Sequence, residues 1–96
     1  MPREIAYAAS KGAIHQVTAT LAEALIERGI TVNSVNPGPT DTGWLEGRDP
    51  GLGMPLGRWG QPEDAARLIA WLCSEDAGWI TGQVIDSEGG FRRWGM

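Results

Sequence analysis

The sequence predicts an α/β fold built on a parallel sheet, and three observations carry that expectation. A long helical pattern runs to Gly29, a β-branched alternating stretch follows at once, and a second helix and strand come later. That helix-strand-helix-strand rhythm suits parallel strands, which need a crossover rather than a hairpin to join them.

The first helix spans residues 5–28. Ile14, Val17, Leu21 and Leu25 recur at three- and four-residue steps, with Ala13, Ala22 and Ala24 between them and polar positions at Gln16, Thr20, Glu23 and Glu27. Gly29 is its left-handed stop. Ala8, Ala9, Gly12 and Ala13 leave part of the helix nearly bare, so another backbone or a ligand can approach closely. Residues 30–35 alternate apolar and polar and read as a strand, which Asn36-Pro37-Gly38-Pro39 ends sharply. Residues 40–60 are irregular and glycine-rich, yet carry Trp44, Leu45, Met54, Leu56 and Trp59. A long loop with large apolar side chains is a binding loop, or an excursion anchored into its own domain. Gln61-Pro62-Glu63-Asp64 opens a second helix, with proline early and acids in the first turn, and Ala65, Leu68, Ile69 and Leu72 form its apolar stripe. Cys73 falls on that apolar side and is expected to be buried. A short turn follows, then a strand at residues 83–86, a turn at Ser87-Glu88-Gly89-Gly90 and a tail.

Composition narrows the function. Ninety-six residues allow one small domain, and 42% hydrophobic with 21% charged residues is ordinary globular usage. The net charge of -4 and scattered basic residues argue against nucleic-acid or polybasic membrane partners. One cysteine excludes an internal disulfide and fits a reducing compartment, and no segment reads as a membrane span or signal peptide, so a cytoplasmic location is expected. His15 has no metal-ligand partners at suitable spacing, and no metal site is expected. No Gly-x-Ser-x-Gly, phosphate loop or Gly-rich dinucleotide fingerprint occurs.

Chemistry enters with Tyr7-Ala8-Ala9-Ser10-Lys11. Residues four apart share a helix face, so the Tyr7 phenol and the Lys11 ammonium can address one point. Such a pair can give and take a proton in carbonyl or alcohol chemistry. The spacing alone is a weak signal, since Tyr and Lys four apart on a helix are usually just a solvated face.

The Tyr-x-x-x-Lys helix, the strand ending in Asn36-Pro37-Gly38, the Pro-Glu-Asp helix and the strand before Gly89-Gly90 occur in one order. Together they resemble the C-terminal part of short-chain dehydrogenase/reductases, nearest the type that includes 3-oxoacyl-[acyl-carrier-protein] reductases and glucose dehydrogenases. The resemblance implies the C-terminal portion of a Rossmann-type doubly wound parallel sheet, without its N-terminal dinucleotide-binding units. It implies one partial domain over residues 1–96. Residues 1–29 would be the catalytic helix and 30–43 a strand with the Pro-Gly turn. Residues 44–60 would be a substrate-type loop, 61–81 a helix, and 82–96 the last strand and tail.

It further implies NAD(P)-dependent hydride transfer between a small alcohol or ketone and coenzyme. Tyr7 would be the acid/base, and Lys11 would assist it and bind the nicotinamide ribose. Ser10 need not be catalytic. Pro37 and Gly38 would pass beneath the nicotinamide. Thr40 through its backbone and Thr42 through its hydroxyl would hold the carboxamide. Trp44, Leu45 and Met54 would cover the substrate or, equally, anchor the loop. NAD and NADP are both compatible.

These residues contain neither the Gly-rich unit nor the serine and asparagine that the family places before the tyrosine. Met1-Pro2-Arg3-Glu4 reads as an internal methionine taken as a start, or as a truncation. The 96-residue chain alone is therefore expected to be inactive. The alternative function is a non-catalytic remnant that serves oligomerisation or complementation. Two strands and two helices leave apolar faces and strand edges uncovered. Homo-oligomerisation is expected, through the Ala and Gly face near Tyr7 and the strand at residues 83–86.

Overall fold

The computed structural model describes residues 2–41, 43 and 54–91, with side chains from residue 5 onward. Two helices and two strands alternate: α1 (Pro2–Leu25), β1 (Ser34–Asn36), α2 (Pro62–Leu72) and β2 (Val84–Asp86). β1 and β2 are neighbours in one sheet. The Ser34 N–H donates to Gln83 O and the Ser87 N–H to Asn36 O, both at 2.9 Å. Residue numbers rise together along that ladder, so the pair is parallel, joined by the crossover that contains α2. The α/β class read from the sequence is the fold observed. Among the described residues, no helix is long and apolar enough to cross a membrane.

The chain divides into two compact units. The first holds residues 1–34 and 72–85. Pro2 occupies a position where its missing N–H costs nothing, and alanine and straight-chain residues carry α1 forward. The helix tightens into a 3₁₀ turn at Ile26–Arg28 and stops at Gly29, whose φ of 75° is left-handed and whose N–H donates to Ile26 O. What is buried here is small. Thr18, Ala22 and Ala77 are almost fully enclosed, and a methyl added at Gly82 would lie 3.5 Å from Ala22 Cβ. Large apolar residues of α1 stay accessible, with Ile14 54% and Val17 53% exposed. Ile14, Val17 and Leu21 line an open hollow of about 280 Å³ together with Val32 and Ser34.

The expected strand at residues 30–35 is shorter than its pattern suggested and begins only at Ser34. Side chains take over where the ladder would have started. The Val32 N–H donates to Thr81 Oγ1, Asn33 Nδ2 donates to Ile80 O, and the Gln83 N–H donates to Asn33 Oδ1. An amide side chain can stand in for a backbone pair, and here it displaces one. Cys73 is also corrected: it is exposed. Periodicity sets it beside apolar neighbours, but among the described residues no element covers that position.

The second unit holds residues 35–71 and 86–96. α2 opens as expected at Pro62, with Glu63 and Asp64 in its first turn. The opening is closed reciprocally: the Asp64 N–H donates to Gln61 O, and the Gln61 N–H donates to Asp64 Oδ2 at 2.7 Å. Gly60 forms an isolated parallel bridge with Thr40, which returns the chain to the segment that follows β1.

Candidate functional site

Tyr7 and Lys11 lie in the first unit, one turn apart on α1. The Tyr7 side chain is 60% exposed and therefore reachable by a reactant. Lys11 Nζ stands over its ring, 5.6 Å from the centroid, within the range of a cation–π contact. The Ser10 hydroxyl is occupied locally, donating to Tyr7 O at 2.9 Å. The arrangement therefore offers one phenol and one ammonium on a shared face. His15, farther along α1, is exposed.

Pro37, Gly38 and Thr40 lie in the second unit. Gly38 has φ of 66°, and a Cβ there would sit 2.5 Å from Glu88 Cβ, so only glycine lets the turn pass this closely. Asn36 pins the turn from below. Its Oδ1 accepts from the Gly38 N–H, and its Nδ2 donates to Asp86 Oδ1 and Glu88 Oε2. The Thr40 hydroxyl donates to Gly38 O at 3.0 Å. The bridge to Gly60 uses Pro39 O and the Asp41 N–H, at 3.0 and 2.8 Å. Thr40's own N–H and C=O take no part in it.

Met54 is half-buried and lines a hollow of about 240 Å³ with Leu56, Arg58, Asp64, Ser87 and Glu88. Thr42, Trp44 and Leu45 lie outside the described residues. The structure thus brings Tyr7 to Lys11 and, separately, Pro37 and Gly38 to Thr40. Among the described residues, no group of three or more His, Cys, Asp or Glu side chains could hold a metal ion.

One feature of this region escaped the sequence reading. Arg58 and Asp64 form a two-pronged ion pair, Nη1 to Oδ2 at 2.8 Å and Nη2 to Oδ1 at 3.1 Å. Arg67 is a weaker third member, with Nη1 3.9 Å from Asp64 Oδ1. The Arg58 hydrogen bond, aided by the Gln61 N–H, lowers the Asp64 carboxyl to about 2, and Asp64 in turn raises Arg58. The acid was legible as a helix-opening residue. Its cation was hidden in a loop without periodicity.

The Enoyl-(Acyl carrier protein) reductase family matches residues 1–92. The chain belongs to the short-chain dehydrogenase/reductase family. Among its relatives is an uncharacterized oxidoreductase of Bacillus subtilis, YjdA, 54% identical over 96 residues. That match covers 97% of this chain and 38% of the relative. Of the solved structures, acetoin dehydrogenase YohF from Salmonella typhimurium superposes with a TM-score of 0.81 at 41% identity, over 95% of this chain and 36% of that one. The landomycin C-6 ketoreductase LanV, solved with NADP and rabelomycin bound, gives 0.78 at 41% identity, over 91% and 34%. The short-chain dehydrogenase/reductase portion present here thus corresponds to little more than a third of these relatives' lengths. Its fold is the matching part of their Rossmann-type α/β architecture.

Proposed function

We propose that this chain carries the proton-transfer and nicotinamide-side part of an NAD(P)-dependent oxidoreductase that interconverts a small alcohol and ketone. The observation that carries the reading is the exposed Tyr7 phenol under the Lys11 ammonium, on the first helix of a short-chain dehydrogenase/reductase chain. Binding of NADP by the ketoreductase LanV supports the choice of coenzyme.

The residues present fit that coenzyme. A carboxamide needs one acceptor and one donor, and Thr40 keeps its own N–H and C=O outside the Gly60 bridge. Pro37, Gly38, Thr40 and Thr42 would hold the nicotinamide end, and Lys11 the ribose. The coenzyme, when bound, supplies or takes the hydride. Tyr7 gives its hydroxyl proton to the carbonyl oxygen during reduction and recovers one from the alcohol during oxidation. Lys11, its Nζ 5.6 Å from the centre of the phenol ring, stands beside the group that gives and takes the proton. Met54, with Trp44 and Leu45, would bound the substrate.

Two experiments test this. In a longer protein that contains this segment, Tyr7→Phe is expected to cut the turnover of ketones by about 10²–10⁴-fold, the usual reach of a general acid. Unchanged turnover would refute the assignment. In the 96-residue chain, five tryptophans report on coenzyme, and NADH or NADPH that leaves their emission unchanged rules out binding by this chain alone.

The exposed Ile14, Val17 and Leu21 favour a second reading for the 96 residues in isolation: association or complementation without catalysis. Restored activity on mixing with the rest of a family enzyme, lost again in Tyr7→Phe, would join the two readings. A small monomer in dilute sedimentation would count against self-association.

A further inference from the structure

The Arg58–Asp64 pair lies beside residues with a proposed part in coenzyme binding, and its bonds form a short relay towards them. On one carboxylate, Asp64 Oδ2 accepts from the Gln61 N–H at 2.7 Å and from Arg58 Nη1 at 2.8 Å, while Oδ1 accepts from Arg58 Nη2 at 3.1 Å. Arg58 Nη1 also donates to Trp59 O at 3.0 Å. Residues on both sides of Gly60 are thereby tied to the first turn of α2. Gly60 itself is held against the segment that follows β1, its N–H donating to Pro39 O and its carbonyl accepting from the Asp41 N–H. The approach is too tight for a side chain, since a Cβ at Gly60 would lie 3.1 Å from Pro39 O. Thr40 sits between those two bonds, and its hydroxyl reaches back to Gly38 O.

We infer that Asp64 is a positioning residue: by fixing residues 58–61 it holds Gly60 as the strut against which the Thr40 peptide groups are presented. A carboxamide is recognised by the directions of one donor and one acceptor, so the recognising peptide must not rotate. A segment held by one isolated bridge is free to twist unless its bridge partner is itself anchored. The Asp64 carboxylate supplies the anchor through charge-assisted bonds, stronger than a neutral cap would be. This inference rests on the proposed role of Thr40, and its test separates the two.

Amide hydrogen exchange in the 96-residue chain reads the strut without any coenzyme. Asp64→Ala is expected to speed exchange of the Gly60 and Asp41 amides by about tenfold or more, with the Ser34 and Gly82 amides at their wild-type rates. Arg58→Gln should do the same to a smaller degree, and Asp64→Glu should restore slow exchange at Gly60. The inference is overturned if the Gly60 and Asp41 amides keep wild-type rates in Asp64→Ala. It is equally overturned if they rise only in step with Ser34 and Gly82, which marks a general loss of stability.

Tryptophan quenching by NADPH is the second arm. Selective exchange with weakened quenching in Asp64→Ala supports the inference. Selective exchange with undiminished quenching overturns the positioning role. An absence of quenching in the wild type, with selective exchange in the variant, defeats coenzyme binding by the isolated chain and leaves the strut supported.

Discussion

Gly29 and Gly38 share a left-handed backbone, at φ of 75° and 66°, but not a neighbourhood. Nothing lies within 4 Å of a Cβ at Gly29, whereas at Gly38 it meets Glu88. Gly29→Ala should therefore cost only the conformational penalty, about 1–2 kcal/mol by urea unfolding. Gly38→Ala should cost clearly more, and equal costs would refute the close approach to Glu88. Asp64 gives a pH signature. Its carboxyl is lowered from 3.8 to about 2 in the folded chain, so its stabilisation is complete above the ordinary value and is lost as pH falls through the folded one. Melting curves of wild type and Asp64→Asn should therefore converge between about pH 4 and pH 2. Added salt should narrow the gap at neutral pH, because the pair is open to solvent.

Each helix holds its place through a few polar bonds. Thr18 is 3% exposed, donates to Ile14 O and shares a 2.7 Å hydrogen bond with Ser34 Oγ, which joins α1 to β1. Thr18→Val removes both bonds and should cost about 1–2 kcal/mol in denaturant unfolding. Thr20, exposed and bonded only to Gln16 in its own helix, should tolerate the same change within about 0.5 kcal/mol. The contrast also shows what a sequence makes legible. The helix bodies, the Gly29 stop and the Pro62 opening follow from local periodicity and backbone preference, and they could be read directly. The start of β1 could not, because Asn33 bonds to residues some fifty positions away. Cys73 was misjudged for a related reason: periodicity tells which residues share a face, not whether anything covers it. Tyr7 and Lys11 were legible because one helix turn sets their geometry. The clasp around Gly60 was not, because it depends on where a loop returns.

Among the described residues, the enclosed side chains are small and the large apolar ones are accessible, an inversion of the usual interior. Val17→Lys should therefore weaken any self-association seen by sedimentation while leaving helical circular dichroism intact, since position 17 faces an open hollow. If association is unchanged, the α1 face is not the contact. The parallel pairing of β1 with β2 has a consequence in time. Val32 waits for Thr81, 49 residues later in the chain, before its N–H finds a partner. At ribosomal speeds of about 5–20 residues per second, that wait is about 2–10 s. Throughout it α1 and β1 are made while the β2 segment that pairs with β1 is still to come. The order of translation thus sets when this pairing can form, and slowing synthesis between residues 36 and 84 should delay it.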